Sequence, residues 1–150
     1  EQRSLTGILA FGRVYAAWLW SQTFIRERLY ENLGLRTVAD VVRFTQNYFI
    51  HNDANDLLAM AATWQHADIS ANPIHENNFD NALRAIECRA IVMPSTSDLY
   101  FRVPDNEYEV KLMPQAELRP IESDYGHAAG FGANGNDNEF IDKALSELLA

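Results

Sequence analysis

Two short segments of this 150-residue sequence hold side chains that together could move a proton during acyl transfer. Residues 94–101 read Pro-Ser-Thr-Ser-Asp-Leu-Tyr-Phe and contain Asp98, and residues 122–130 read Glu-Ser-Asp-Tyr-Gly-His-Ala-Ala-Gly and contain His127. A carboxylate on one ring nitrogen fixes the imidazole tautomer and stabilises the imidazolium. The other nitrogen then carries the proton of a serine or cysteine nucleophile. In parallel sheets that perform this chemistry the chain order is nucleophile, acid, histidine, and Asp98 precedes His127 as that order requires. Each residue alone has an ordinary explanation, since loop aspartates cap turns and Gly-His is a common surface pair. Asp124 is the rival acid, but its place in the same loop as His127 suits it to shaping that loop.

The third member of such a triad is not among these residues. The sequence holds no Gly-x-Ser-x-Gly elbow, and no serine or cysteine follows an expected strand into a helix as a nucleophile should. Ser95 and Ser97 share the loop of Asp98 and read as turn residues. The elbow is expected earlier in a longer chain, because the sequence opens Glu-Gln-Arg with neither a methionine nor a signal pattern. On this reading the fragment supplies acid and base without the nucleophile.

The elements that would position the pair follow from periodicity. Over residues 5–31 apolar side chains recur at three- and four-residue spacing (Leu9, Val14, Ala17, Trp18, Phe24, Leu29), which predicts one continuous helix with Gly34 as its stop. Thr37 and Asp40 mark the start of a second helix and Asp53 the start of a third. Residues 70–78, rich in Asn, Pro and Ser, read as a loop. The period then changes. A short helix over 79–86 precedes the compact apolar run 90–93, which suits a buried parallel strand ended by Pro94. A helix over 104–113 and a strand over 116–121 follow, with Pro120 confining that strand to an end or an edge. Asn136 and Glu139 resemble a capping box opening the last helix. Helix, strand, helix, strand, helix is the order of a parallel sheet with crossover helices, and it puts Asp98 and His127 at the carboxyl ends of successive strands. Two strands do not make a stable sheet, so the remaining strands are expected from a longer chain or a partner.

Composition narrows the rest. With 47% hydrophobic and 22% charged residues the chain can build a core. Twelve basic against 21 acidic residues give a net charge of −9, which disfavours nucleic acid and anionic membrane surfaces as partners. Arg13, Ser21 and Gln22 interrupt the apolar stretch 8–25, so no membrane span is expected. Cys88 cannot form an internal disulfide, reads as a small buried side chain, and is compatible with a cytoplasmic compartment. His51, His66 and His75 lack any paired ligand spacing, so no metal is expected. The aromatics Tyr15, Trp18, Trp20, Phe24, Tyr48, Phe49 and Trp64 read as core, with some free to line an acyl or alcohol pocket.

Several segments taken together resemble the homoserine O-acetyltransferase group of α/β-hydrolases: residues 53–58 (Asp-Ala-Asn-Asp-Leu-Leu), residues 64–69 (Trp-Gln-His-Ala-Asp-Ile), the run from Val92 through Ser97-Asp98-Leu99-Tyr100-Phe101, and Gly126-His127-Ala128-Ala129-Gly130. The resemblance implies an α/β fold, the C-terminal part of an α/β-hydrolase with a largely helical lid: residues 1–76 would be lid and 77–150 core. It implies that Asp98 and His127 are the triad acid and base. Acetyl-CoA would serve as acyl donor substrate, an alcohol as acceptor, and lid helices would form a homodimer. One departure stands out. Where true homoserine transferases carry an acidic residue directly after the histidine, this chain has Ala128, which leaves another alcohol, or water, as acceptor. Three readings follow: an acyltransferase or esterase piece, a non-catalytic fragment serving dimerisation, and a helical binding domain unrelated to hydrolases.

Overall fold

The computed structural model describes residues 5–150, which fall into two compact units meeting in sequence at Ala67 and Asp68. Residues 70–78 belong with the second unit.

The first unit is helical. Helix α1 (Leu5–Leu19) packs on α3 (Val38–Phe49), and α4 (Ala54–His66) closes a small core of Ile8, Phe49 and Leu57. The α1–α3 crossing is close because Gly12 has no side chain: a Cβ there would sit 2.7 Å from the Gln46 Cα. Beside it, Gln46 Nε2 donates to the Leu9 carbonyl at 2.9 Å. The continuous helix expected over 5–31 is broken. After Leu19 the chain restarts at Ser21, whose hydroxyl accepts from the Phe24 amide at 2.9 Å and caps α2 (Gln22–Arg26), and a 3-10 turn spans Leu29–Leu33. Periodicity missed the break because both sides of it are apolar. The turn buries Trp20 and Phe24, stacked at 4.3 Å, with the Trp20 indole N–H donating to Thr45 Oγ1 at 3.3 Å. Gly34, at φ +76, ends the 3-10 turn as a left-handed cap. Thr37 and Asp40 form a full capping box on α3, and the Asp53 carboxylate caps α4 through the Asn55 amide at 2.7 Å.

The second unit holds α5 (Phe79–Arg84), β1 (Ala90–Val92), α6 (Val103–Leu112), β2 (Ala116–Leu118), a 3-10 turn (Gly126–Gly130) and α7 (Gly135–Leu149). The strands are parallel, with Ala90 opposite Ala116 and Val92 opposite Leu118. Pairing continues past the formal strand ends. Arg119 N donates to Val92 O and Ile121 N to Pro94 O, both at 2.9 Å, and Thr96 N donates to Ile121 O at 3.0 Å. Alternation leaves Pro120 facing away from β1, so its missing N–H costs nothing in this ladder, whereas Pro94 faces β2 and removes one bond from it. Helix α7 packs on β1 and α6 on β2.

Two local expectations change. The last helix is capped by Asn134, whose side chain accepts from the Asn136 amide, so the capping box expected at Asn136 and Glu139 starts too late. Asp137 supplies the first-turn carboxylate. Cys88 is exposed rather than buried, because the apolar run packs only from residue 90 onward and Cys88 lies in the turn before it. Among the described residues no helix is long and apolar enough to cross a membrane, and no group of three or more His, Cys, Asp or Glu side chains gathers as for a metal.

Candidate active site

The continued ladder brings the two chemistry-bearing loops side by side, since each leaves the carboxyl end of its strand. Ser95 bridges Ile121, and the chain turns directly beyond both residues. From the first loop Asp98 accepts at Oδ1 from the amides of Tyr100 (2.7 Å) and Phe101 (3.2 Å). These two bonds fix the carboxylate plane and aim Oδ2 across the gap. There it meets His127 Nδ1 at 2.9 Å. An ionised carboxylate only accepts, so Nδ1 carries the proton and Nε2 is the basic nitrogen. The acid on Nδ1 is therefore Asp98 and not Asp124.

Local backbone explains how His127 reaches that position. Gly126 adopts φ +65, in the left-handed region that glycine enters without a Cβ penalty, and it turns the chain into the 3-10 segment that carries His127. Ala128 and Ala129, exposed by only 1% and 2%, seat the segment in the core. The side chains of Asp98 and His127 keep 6% and 17% of their exposure, so the pair is screened from water while the imidazole retains an open edge.

Sequence reading placed the pocket aromatics in the helical half. There Phe11 and Tyr15 surround Phe49 at 4.9 and 5.1 Å and Trp20 stacks on Phe24, whereas Trp18, Tyr48 and Trp64, expected in the core, are 48%, 72% and 58% exposed. The rings near the imidazole are Tyr100 (4.9 Å), Phe101 (5.4 Å) and Phe131 (5.6 Å). Their signal was available, since two follow Asp98 by two and three residues and the third closes the histidine segment. A hollow of about 270 Å³ opens beside the pair, lined among others by Met93, Ser95, Phe101, Asn106 and His127. Ser97, read only as a turn residue, ties the loops together by donating to the Ser123 carbonyl at 2.6 Å. The remaining histidines lie elsewhere; the ring of His66 bonds the Ala62 carbonyl on its own helix at 2.7 Å.

The fold that carries this Asp-His pair has structural counterparts. The acetyl esterase MekB superimposes with a TM-score of 0.91 at 32% identity, over 97% of this chain and 42% of that one. An acetylester hydrolase from Corynebacterium glutamicum gives 0.89 at 33%, over 96% and 41%. The fold is thus the C-terminal part of an α/β-hydrolase with a largely helical lid.

Curated relatives point the same way. Ethyl acetate hydrolase of Pseudomonas veronii is 32% identical over 145 residues, 96% of this chain and 41% of that protein. A probable esterase of Corynebacterium glutamicum is 34% identical over 144 residues, 95% and 41%. The chain spans about two fifths of the length of these relatives. No protein-family model matches it. The relatives are named as esterases, and the likeness to homoserine O-acetyltransferases finds no support among them.

Proposed function

We propose that this chain supplies the acid and the base of a serine-type ester hydrolase acting on short acetate esters, with water as the acyl acceptor. The observation that carries the proposal is the 2.9 Å bond between His127 Nδ1 and an Asp98 carboxylate already anchored by two backbone amides. The nucleophile would come from sequence beyond these 150 residues, in keeping with the two-fifths coverage of the esterase relatives.

In this reading each proton has a defined carrier. His127 Nε2 takes the nucleophile's hydroxyl proton as that oxygen attacks the ester carbonyl, and Asp98 stabilises the imidazolium. The imidazolium gives the proton to the departing alcohol, leaving an acyl-enzyme. Nε2 then takes a proton from water, whose oxygen attacks the acyl carbon, and returns it to the nucleophile as acetate leaves.

Water rather than an amino alcohol is favoured at Ala128. The side chain there is a methyl group, itself 1% exposed, and it offers no carboxylate to a substrate amine. The ester itself, rather than acetyl-CoA, would then be the acyl donor. The test is hydrolysis of ethyl acetate by the intact parent enzyme and by its His127→Ala variant. The proposal expects acetate release by the parent, and a loss of about 10⁶-fold in kcat for the variant with the fold retained. Undiminished turnover in the variant removes His127 from the mechanism. Acetyl-CoA consumption that requires an added alcohol identifies a transferase instead.

A further inference from the structure

The buried polar groups of the second unit include two that the proton transfers above do not use: Ser123, 7% exposed, and Asp137, 3% exposed. They belong to one connected set of hydrogen bonds. Asp137, in the first turn of α7, accepts from the Ser123 hydroxyl at 2.7 Å and from Asn134 Nδ2 at 3.1 Å. The Ser123 hydroxyl in turn accepts from the Tyr125 amide at 3.2 Å. The Ser123 carbonyl accepts from Ser97 Oγ at 2.6 Å, and Ser97 Oγ accepts from the Gly126 amide at 3.0 Å.

Every proton in this set has one direction. A carboxylate and a carbonyl can only accept, so each serine hydroxyl must donate to its partner and offer its lone pairs to a backbone amide. The amides so held, Tyr125 and Gly126, are the two residues directly before His127. Ser97, at the other end, directly precedes Asp98. We propose that Ser97, Ser123 and Asp137 form a positioning strap that sets His127 in register with Asp98.

The strap acts through the backbone and touches no reacting atom. Its catalytic consequence rests on the esterase reading; its effect on the imidazole does not. A displacement of the base by a fraction of an ångström lowers the chemical step and spares substrate binding, since near-attack geometry is lost while the pocket persists. A role confined to folding would lower Tm and leave the rate constants of the folded enzyme alone.

The experiment compares wild type, Ser97→Ala and Ser97→Thr in the intact enzyme. It follows kcat and KM on ethyl acetate and the downfield proton resonance of His127 Nδ1–H. For Ser97→Ala we expect kcat to fall roughly tenfold to a hundredfold with KM within about twofold, and the Nδ1–H resonance to broaden into exchange with water. Ser97→Thr, which keeps the hydroxyl, restores both. Unchanged kcat and an unchanged resonance in Ser97→Ala overturn the strap, as does a loss confined to Tm. Should Ser97→Ala not fold, Ser123→Ala gives the same reading by freeing the Tyr125 amide. If the wild type hydrolyses no ester, the esterase reading fails and the resonance alone decides whether the strap sets the imidazole.

Discussion

The Asp98 carboxylate divides its two oxygens between structure and chemistry, and this division makes one substitution unusually informative. Oδ1 holds two backbone N–H groups and can be replaced only by another acceptor, while Oδ2 faces His127 Nδ1. In Asp98→Asn the amide oxygen must keep the Oδ1 position, because an NH₂ group there would confront two donors. The NH₂ group then points at Nδ1 and forces the imidazole proton onto Nε2, the nitrogen that has to be basic. Asp98→Asn in the intact enzyme is therefore expected to cut kcat for ethyl acetate by about 10⁴-fold with KM retained. A variant within tenfold of wild type would show that the tautomer is not set by Asp98. Ala128 bears on the acceptor in a similar way. Because it is buried, Ala128→Asp would place an unpaired charge in the core, and thermal unfolding should show a loss on the order of 3–5 kcal/mol. Equal stability would mean the site opens to solvent and could serve a substrate amine. The pair itself was legible in the sequence, since chain order and strand-end placement need no coordinates. Ser97 and Ser123 were not, because a serine that bridges two loops has the same local sequence as one that shapes a single turn.

At the level of elements, capping chemistry was read more securely than continuity. Thr37 and Asp40 start α3 as their types and spacing implied and, beyond that expectation, form a full capping box, with the Thr37 amide donating to Asp40 Oδ2 at 2.8 Å and the Asp40 amide to Thr37 Oγ1 at 3.2 Å. The break at Ser21 escaped notice because apolar spacing carries through it. What decides it is the burial of Trp20 against Thr45, a contact between residues 25 apart in sequence. The Asp40 box carries a pH prediction. The Thr37 hydroxyl, followed by the amides of Arg36 and Thr37, holds the Asp40 pKa below the ordinary carboxylate value despite some desolvation. A group whose folded pKa is depressed stabilises the fold fully above its unfolded value, about 4, and loses that contribution as pH falls through the lower folded value. The Tm difference between wild type and Asp40→Asn should accordingly stay constant from pH 7 to about 5 and shrink on further acidification. A difference that persists unchanged to pH 2 would assign the effect to something other than the ionised carboxylate. Gly12 supplies a second check. Gly12→Ala places a methyl group against the α3 backbone, where no side-chain rotation can relieve it, and should cost about 1–3 kcal/mol.

For the whole molecule, the ladder between β1 and β2 fixes which backbone groups remain to be satisfied. Ala90, Val92 and Pro94 direct their polar groups toward β2: Ala90 N donates to Gln115 O, Val92 O accepts from Arg119 N, and Pro94 O accepts from Ile121 N. By the alternation of a parallel strand, the N–H groups of Ile91 and Met93 point to the opposite edge. That edge has no strand beside it among the described residues, where the sheet has only two strands. Two strands are marginal on their own, so an α/β-hydrolase core needs a further strand here. Amide hydrogen exchange can locate it. In the 150-residue chain alone, Ile91 and Met93 should exchange close to the unprotected rate while Arg119 and Ile121, which donate within the ladder, are slowed. In the intact parent all four should be protected, because a neighbouring strand then accepts from Ile91 and Met93. Protection of Ile91 and Met93 in the isolated chain would mean that this edge is already paired, by a second copy of the chain, and its dependence on protein concentration would show that directly. The same experiment bears on catalysis, since Asp98 follows the end of the strand being paired and its aim depends on that strand holding still.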